Sequence, residues 1–159
     1  KGVVVRNQSV LIKGVNDTPE RMIDLIRKLS YMNVQPYYVY QHDMVPGSED
    51  MRTSIKQTVA LEKVVRGVTA GFNTPLFVTD APGGGGKRDV HSYDYYNELK
   101  GISIYRSPSV DDSKLYLYFD PIDSLPLDGQ VLWQDESLHD DLIKHAIKNS
   151  GYQHLEPVF

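Results

Sequence analysis

The sequence contains no cysteine, which excludes disulfides, thiolate metal ligands and iron–sulfur ligands from all 159 residues. It has no apolar run long enough to span a bilayer and no signal-peptide pattern, so no membrane partner and a cytoplasmic location are expected. It also lacks an excess of basic charge. The 17 Lys and Arg face 21 Asp and Glu, for a net charge of −4, which weighs against a nucleic-acid partner. Histidine is sparse: His42, His91, His139, His145 and His154 show no ligand spacing, so no metal site is expected. What is present is ordinary for a globular chain, with 40% hydrophobic and 24% charged residues, and the length suits one domain. The opening "KGVVVRNQSVLIKG" has no initiator methionine and starts inside a strand-like run, which reads as a piece of a longer protein.

The first half alternates between two periods. "VVVRNQSVLI" (Val3–Ile12) is β-branched and predicts a strand. Asp17 and Glu20 form a capping-box pattern around Pro19, and Met22, Leu25, Ile26 and Leu29 then recur on one helical face. "VQPYYVYQ" (Val34–Gln41) predicts a second strand. A helix over about Thr53–Arg66 follows, with Leu61, Val64, Val65 and Val68 inward, and "TPLFVT" (Thr74–Thr79) predicts a third strand. Strand, helix, strand, helix, strand implies parallel strands with right-handed crossovers, either part of a (β/α) barrel or an open doubly wound sheet. Chemistry in either belongs on the loops after the strand C-termini, where Asp43 and Asp80 fall. The second half changes character. "ISIYR" (Ile102–Arg106) and "KLYLYF" (Lys114–Phe119) predict strands, and Ser137 is placed to cap a helix ending before Gly151. The fold class is therefore α/β, a partial (β/α) barrel over 1–92 followed by an α+β extension over 93–159, serving as a lid or an oligomer contact.

Between these halves lies "TDAPGGGGKRD", Thr79–Asp89, four glycines running into a lysine. A P-loop requires Gly, four residues, Gly, Lys, then Ser or Thr, and here Ala81 and Arg88 stand at the two ends, so the motif fails. A second reading is a surface turn with a solvated lysine. A third is a lysine that forms a Schiff base with pyridoxal phosphate, for which a mobile tether would suit repeated attachment and release.

Residue identities then favour the third reading. "LIKGVND", "QPYYVYQHD" and "RGVTAGFNTPLFVTDAPGGGGK", in that order and from about Gln8 to Lys87, resemble the C-terminal part of the lysine 2,3-aminomutase family. Those enzymes use S-adenosylmethionine, an iron–sulfur cluster and pyridoxal phosphate. The resemblance implies that Lys87 binds pyridoxal phosphate covalently and that Asp43 and Asp80 grip the side-chain ammonium of the substrate lysine. It implies for the parent protein an isomerase converting L-lysine to β-lysine, with an amino-acid substrate and a homo-oligomeric state. Two carboxylates would also reject a substrate lacking that cation. Tyr40, at the same strand end as Asp43, is either a wall against the cofactor ring or a core tyrosine. Gln8 resembles a residue of the S-adenosylmethionine region, or satisfies polar neighbours in the interior. The cysteines that hold the [4Fe-4S] cluster in the family are absent from this chain, which by itself is expected to be inactive. Alternatives are an aminomutase for another basic amino acid such as arginine, or a non-catalytic half-barrel for assembly or anion binding.

Overall fold

Two four-stranded sheets organise the chain, described over residues 2–159 by a computed structural model. In the first sheet Val5–Val10 (β1), Val34–Tyr40 (β2) and Leu76–Ala81 (β3) run parallel in that order, and Gly86–Asp89 (β4) folds back antiparallel on β3. Parallel neighbours need crossovers, supplied by Pro19–Tyr31 (α1) and Ile55–Val68 (α2). The second sheet has Tyr95–Asn97 (β5), Ile102–Ser107 (β6) and Asp111–Phe119 (β7) as an antiparallel meander, with Glu156–Val158 (β8) added parallel to β7. Between β7 and β8 lie Leu127–Gln134 (α3) and His139–Ser150 (α4).

The helix α1 follows its sequence closely. Pro19 occupies the first turn and Met22, Ile26 and Leu29 are buried. The cap is Thr18 rather than Asp17: the Thr18 hydroxyl accepts from the Arg21 amide, while the Asp17 carboxylate is drawn back to the Gly14 amide in the preceding turn. The buried face of α2 differs from the expected one. Leu61 and Val65 are inside, but Val64 and Val68 are exposed, and Ile55, Thr58 and Glu62 complete the inner face. Thr58 and Glu62 tolerate burial because each has partners. The Thr58 hydroxyl donates to Gln41, and the Glu62 carboxylate meets both Arg66 and His91. Ser137 does not cap α4. The Asp135 carboxylate instead accepts from the Ser137 amide in a short turn before α4, which Gly151 ends at φ 82°.

Alternation along β6 and β7 divides the core. Ile102, Ile104, Leu115 and Leu117 face Leu142 and Ala146 of α4. Tyr105, Tyr116 and Tyr118, on the other face, join Val39 and Phe77 of the first sheet, and Leu11 just after β1, in a shared cluster. Among the described residues no helix is long and apolar enough to cross a membrane.

Candidate functional site

The glycine run is a tight hairpin and not a slack tether. Antiparallel register sets Ala81 opposite Gly86 and Asp80 opposite Lys87. The Gly85 amide donates to the Ala81 carbonyl at 3.1 Å, and the Ser107 hydroxyl donates to the Gly85 carbonyl at 2.6 Å. Gly83, at φ +73°, combines a left-handed backbone with close packing: a Cβ there would lie 2.0 Å from Val158 Cγ1. Gly85 lies against Ala81 and the Tyr116 ring, each 2.6 Å from where its Cβ would stand. Lys87 is thus delivered by a short strand, β4, whose backbone is fixed by its neighbour.

Directly opposed residues in a sheet share a face, so Lys87 and Asp80 project together. Lys87 Nζ lies 3.8 Å from Asp80 Oδ1, with about half of each side chain open to solvent. The same nitrogen lies 5.5 Å from the centre of the Tyr40 ring. The Asp80 carboxylate, and after it Tyr40, hold the Lys87 ammonium above the usual lysine range. The half-buried Tyr40 donates its hydroxyl to Gln8 Oε1 at 2.7 Å. Gln8, Tyr40, Lys87 and Asp80 therefore form one continuous line of side chains across the four strands of the first sheet.

Asp43 lies just beyond β2, on a loop held by buried hydrogen bonds. The Gln41 amide donates to the Val78 carbonyl at 2.7 Å, and the Gln41 side chain donates to the Thr53 carbonyl at 2.5 Å. Tyr118 of β7 donates to the His42 carbonyl at 2.7 Å. The loop is thus fixed from both sheets. Asp43 and Asp80 line one cleft of about 350 Å³, with Met44, Val45, Pro82 and Phe159 among its walls. A larger concavity of about 500 Å³ lies at the other end of the parallel strands, lined by Val3, Val5, Asn33 and Phe72, among others, and by no titratable side chain. The structure thus links Gln8, Tyr40, Lys87 and Asp80 by successive contacts and sets Asp43 beside Asp80 in the adjoining cleft. Sequence reasoning missed Met44 and Phe159. Met44 was adjacent to Asp43, whereas no local pattern marks Phe159.

No family model matches the chain. Individual relatives do. The L-lysine 2,3-aminomutase of Clostridium subterminale is 47% identical over 89 residues, 56% of this chain and 21% of that protein. The L-lysine 2,3-aminomutase of Bacillus subtilis (strain 168) is 42% identical over 86 residues, 54% of this chain and 18% of that protein. The glutamate 2,3-aminomutase of Clostridioides difficile (strain 630) is 33% identical over 125 residues, 72% of this chain and 30% of that protein. The class these relatives define is that of the aminomutases, which are isomerases. Within it, over about half its length, the chain resembles the lysine 2,3-aminomutase family, as its motifs indicate. The matches span less than a third of the length of these relatives.

Proposed function

We propose that the protein carrying this chain moves the α-amino group of L-lysine to the β-carbon, with Lys87 as the covalent anchor of pyridoxal phosphate. The observation that supports it is the opposition of Lys87 and Asp80 beside a cleft that Asp43 also lines. The residues present suit that cofactor. Lys87 Nζ is open to solvent and reaches an aromatic wall, Tyr40, whose hydroxyl is anchored to Gln8. When bound, pyridoxal phosphate supplies an electron-accepting ring in conjugation with the migrating nitrogen. The iron–sulfur cluster finds no ligand set here, because the chain has no cysteine. The three parallel strands would be a part of a (β/α) barrel, with the catalytic mouth at their C-terminal ends.

The roles of this chain's own residues follow from charge. Asp43 and Asp80 would hold the side-chain ammonium, and their paired negative charge would repel the side chain of glutamate, so lysine is the favoured substrate. Tyr40 would limit the tilt of a ring attached to Lys87. The test uses the complete protein incubated with pyridoxal phosphate and reduced with borohydride. The expected result is a mass increment on the peptide containing Lys87, lost in Lys87→Ala, and, in an unreduced sample supplied with S-adenosylmethionine and a one-electron reductant, conversion of L-lysine to β-lysine. Absence of both would overturn the reading. Asp80→Asn should weaken L-lysine binding by roughly tenfold or more while leaving the increment on Lys87, since a charge-assisted contact is worth about 1.5–3 kcal/mol. Equal loss of both would count against Asp80 as a substrate contact.

A further inference from the structure

The strand β8 runs beside β7, with Val158 paired to Tyr116. That pairing seats Val158 on Gly83, where any side chain would collide with it. The next residue, Phe159, then enters the wall of the cleft shared by Asp43 and Asp80. Its ring meets Phe119 edge-on, with centroids 6.2 Å apart and planes at 70°, so it is propped from the second sheet. Even so, it remains 63% exposed. A singly exposed phenylalanine needs no explanation on an ordinary surface. This one is fixed by a strand and an aromatic partner, and it shares its cleft with two carboxylates.

We propose that Phe159 is a specificity-determining residue: with Met44 and Val45 it forms the apolar wall along which the methylene chain of an ammonium-bearing amino acid lies. The inference rests on the reading that Asp43 and Asp80 take the side-chain ammonium. The chemistry of the cleft matches a substrate that is cationic at its tip and aliphatic along its stem. Carboxylates compensate the cation, and Met44, Val45 and the aromatic ring remove the methylenes from water. The second sheet thereby contributes to substrate selection, through Phe119 behind the ring and β8 beneath it.

The experiment measures equilibrium binding of L-lysine and of L-ornithine, one methylene shorter, to the complete protein and its Phe159→Ala, Phe159→Leu and Asp80→Asn variants. Borohydride-trapped labelling of Lys87 by pyridoxal phosphate is followed in parallel as a control for the site's integrity. Phe159→Ala is expected to weaken L-lysine binding about fivefold and to reduce the preference for lysine over ornithine, with labelling unchanged. Phe159→Leu should recover part of the loss through its apolar surface alone. Unchanged lysine binding in Phe159→Ala, alongside a loss in Asp80→Asn, would overturn the role of Phe159 and leave the acidic pair standing. Unchanged binding in both variants would overturn the underlying reading as well. Reduced labelling in Phe159→Ala would mean a structural role, and it too would overturn the proposal.

Discussion

At Lys87, the pairing that positions the nitrogen also works against its reactivity. Only a neutral amine attacks a carbonyl, yet the Asp80 carboxylate opposite favours the ammonium and raises the pKa. The charged and polar groups facing the nitrogen are Asp80 from β3 and Tyr40 and Tyr37 from β2, and Asp80 has the largest effect. Neutralising it should therefore move the titration of Lys87 downward. In Asp80→Asn the pH midpoint for labelling of Lys87 by pyridoxal phosphate is expected to fall below that of the unaltered protein. The same displacement should appear in the NMR titration of isotopically methylated Lys87, which needs no cofactor. An unchanged midpoint in both would mean that solvent screens the pair completely. The pair's half-exposed setting gives it little weight in stability. If Lys87 is the anchor proposed above, bonding it to a cofactor would free Asp80 to receive another ammonium, which would join its two proposed roles.

At the level of elements, the hairpin from β3 to β4 depends on its glycines for two separable reasons. Gly84 lies at φ +94° with open space around its Cβ position, so alanine there meets only backbone strain, about 1–2 kcal/mol. Gly83 adds the collision with Val158 to a similar backbone cost. Gly83→Ala should thus destabilise more than Gly84→Ala in denaturant titrations, and Val158→Ala should relieve the excess when combined with Gly83→Ala. Equal destabilisation by the two single changes would remove the packing argument. That packing explains why the hairpin was only half legible. "PGGGGK" marks a turn by composition, but the partner that makes Gly83 obligatory is in β8, far along the chain, and "GKRD" has no strand-like pattern. The helix α1 was legible because its proline and apolar stripe are local, although the cap is Thr18 and not the Asp17 of the expected capping box. The face of α2 was misread because Thr58 and Glu62 are satisfied by residues outside the helix. The helix α3 begins inside the run "DPIDSLPLDG" (Asp120–Gly129), whose Pro and Asp content reads as a loop. Of the site, Lys87, Asp43 and Asp80 could be placed at strand ends from their order alone, whereas Phe159 reaches the cleft only through the pairing of β7 with β8.

Across the whole molecule, the two sheets are joined by a buried carboxylate. Asp120 follows β7 and is only 5% exposed. It accepts from the Ile55 amide at the start of α2, at 2.8 Å, and from the Tyr96 hydroxyl at 2.7 Å. The carboxylate favours the positive end of α2, but burial costs more than these contacts return, and its pKa is pushed up to about 6. A carboxyl group whose folded pKa lies above its unfolded value binds a proton more tightly when folded. Its contribution to stability is therefore complete below about pH 4 and is lost as pH rises through about 6, the reverse of the usual salt-bridged aspartate. A shift of this size corresponds to roughly 3 kcal/mol at most. Asn at this position keeps an acceptor for the Ile55 amide and removes the charge. Asp120→Asn is thus expected to flatten the decline in unfolding free energy between about pH 4 and 6 and to raise stability at neutral pH, measured by denaturant titration across that range. Parallel profiles for the two proteins would show that Asp120 is not the titrating group. The consequence extends to the cleft. Ile55 begins the helix just after Thr53, whose carbonyl holds the Gln41 side chain, and Gln41 fixes the loop bearing Asp43. Weakening the junction at neutral pH should loosen that loop before the sheets separate, so amide exchange around His42–Val45 should slow in Asp120→Asn, in step with its gain in stability.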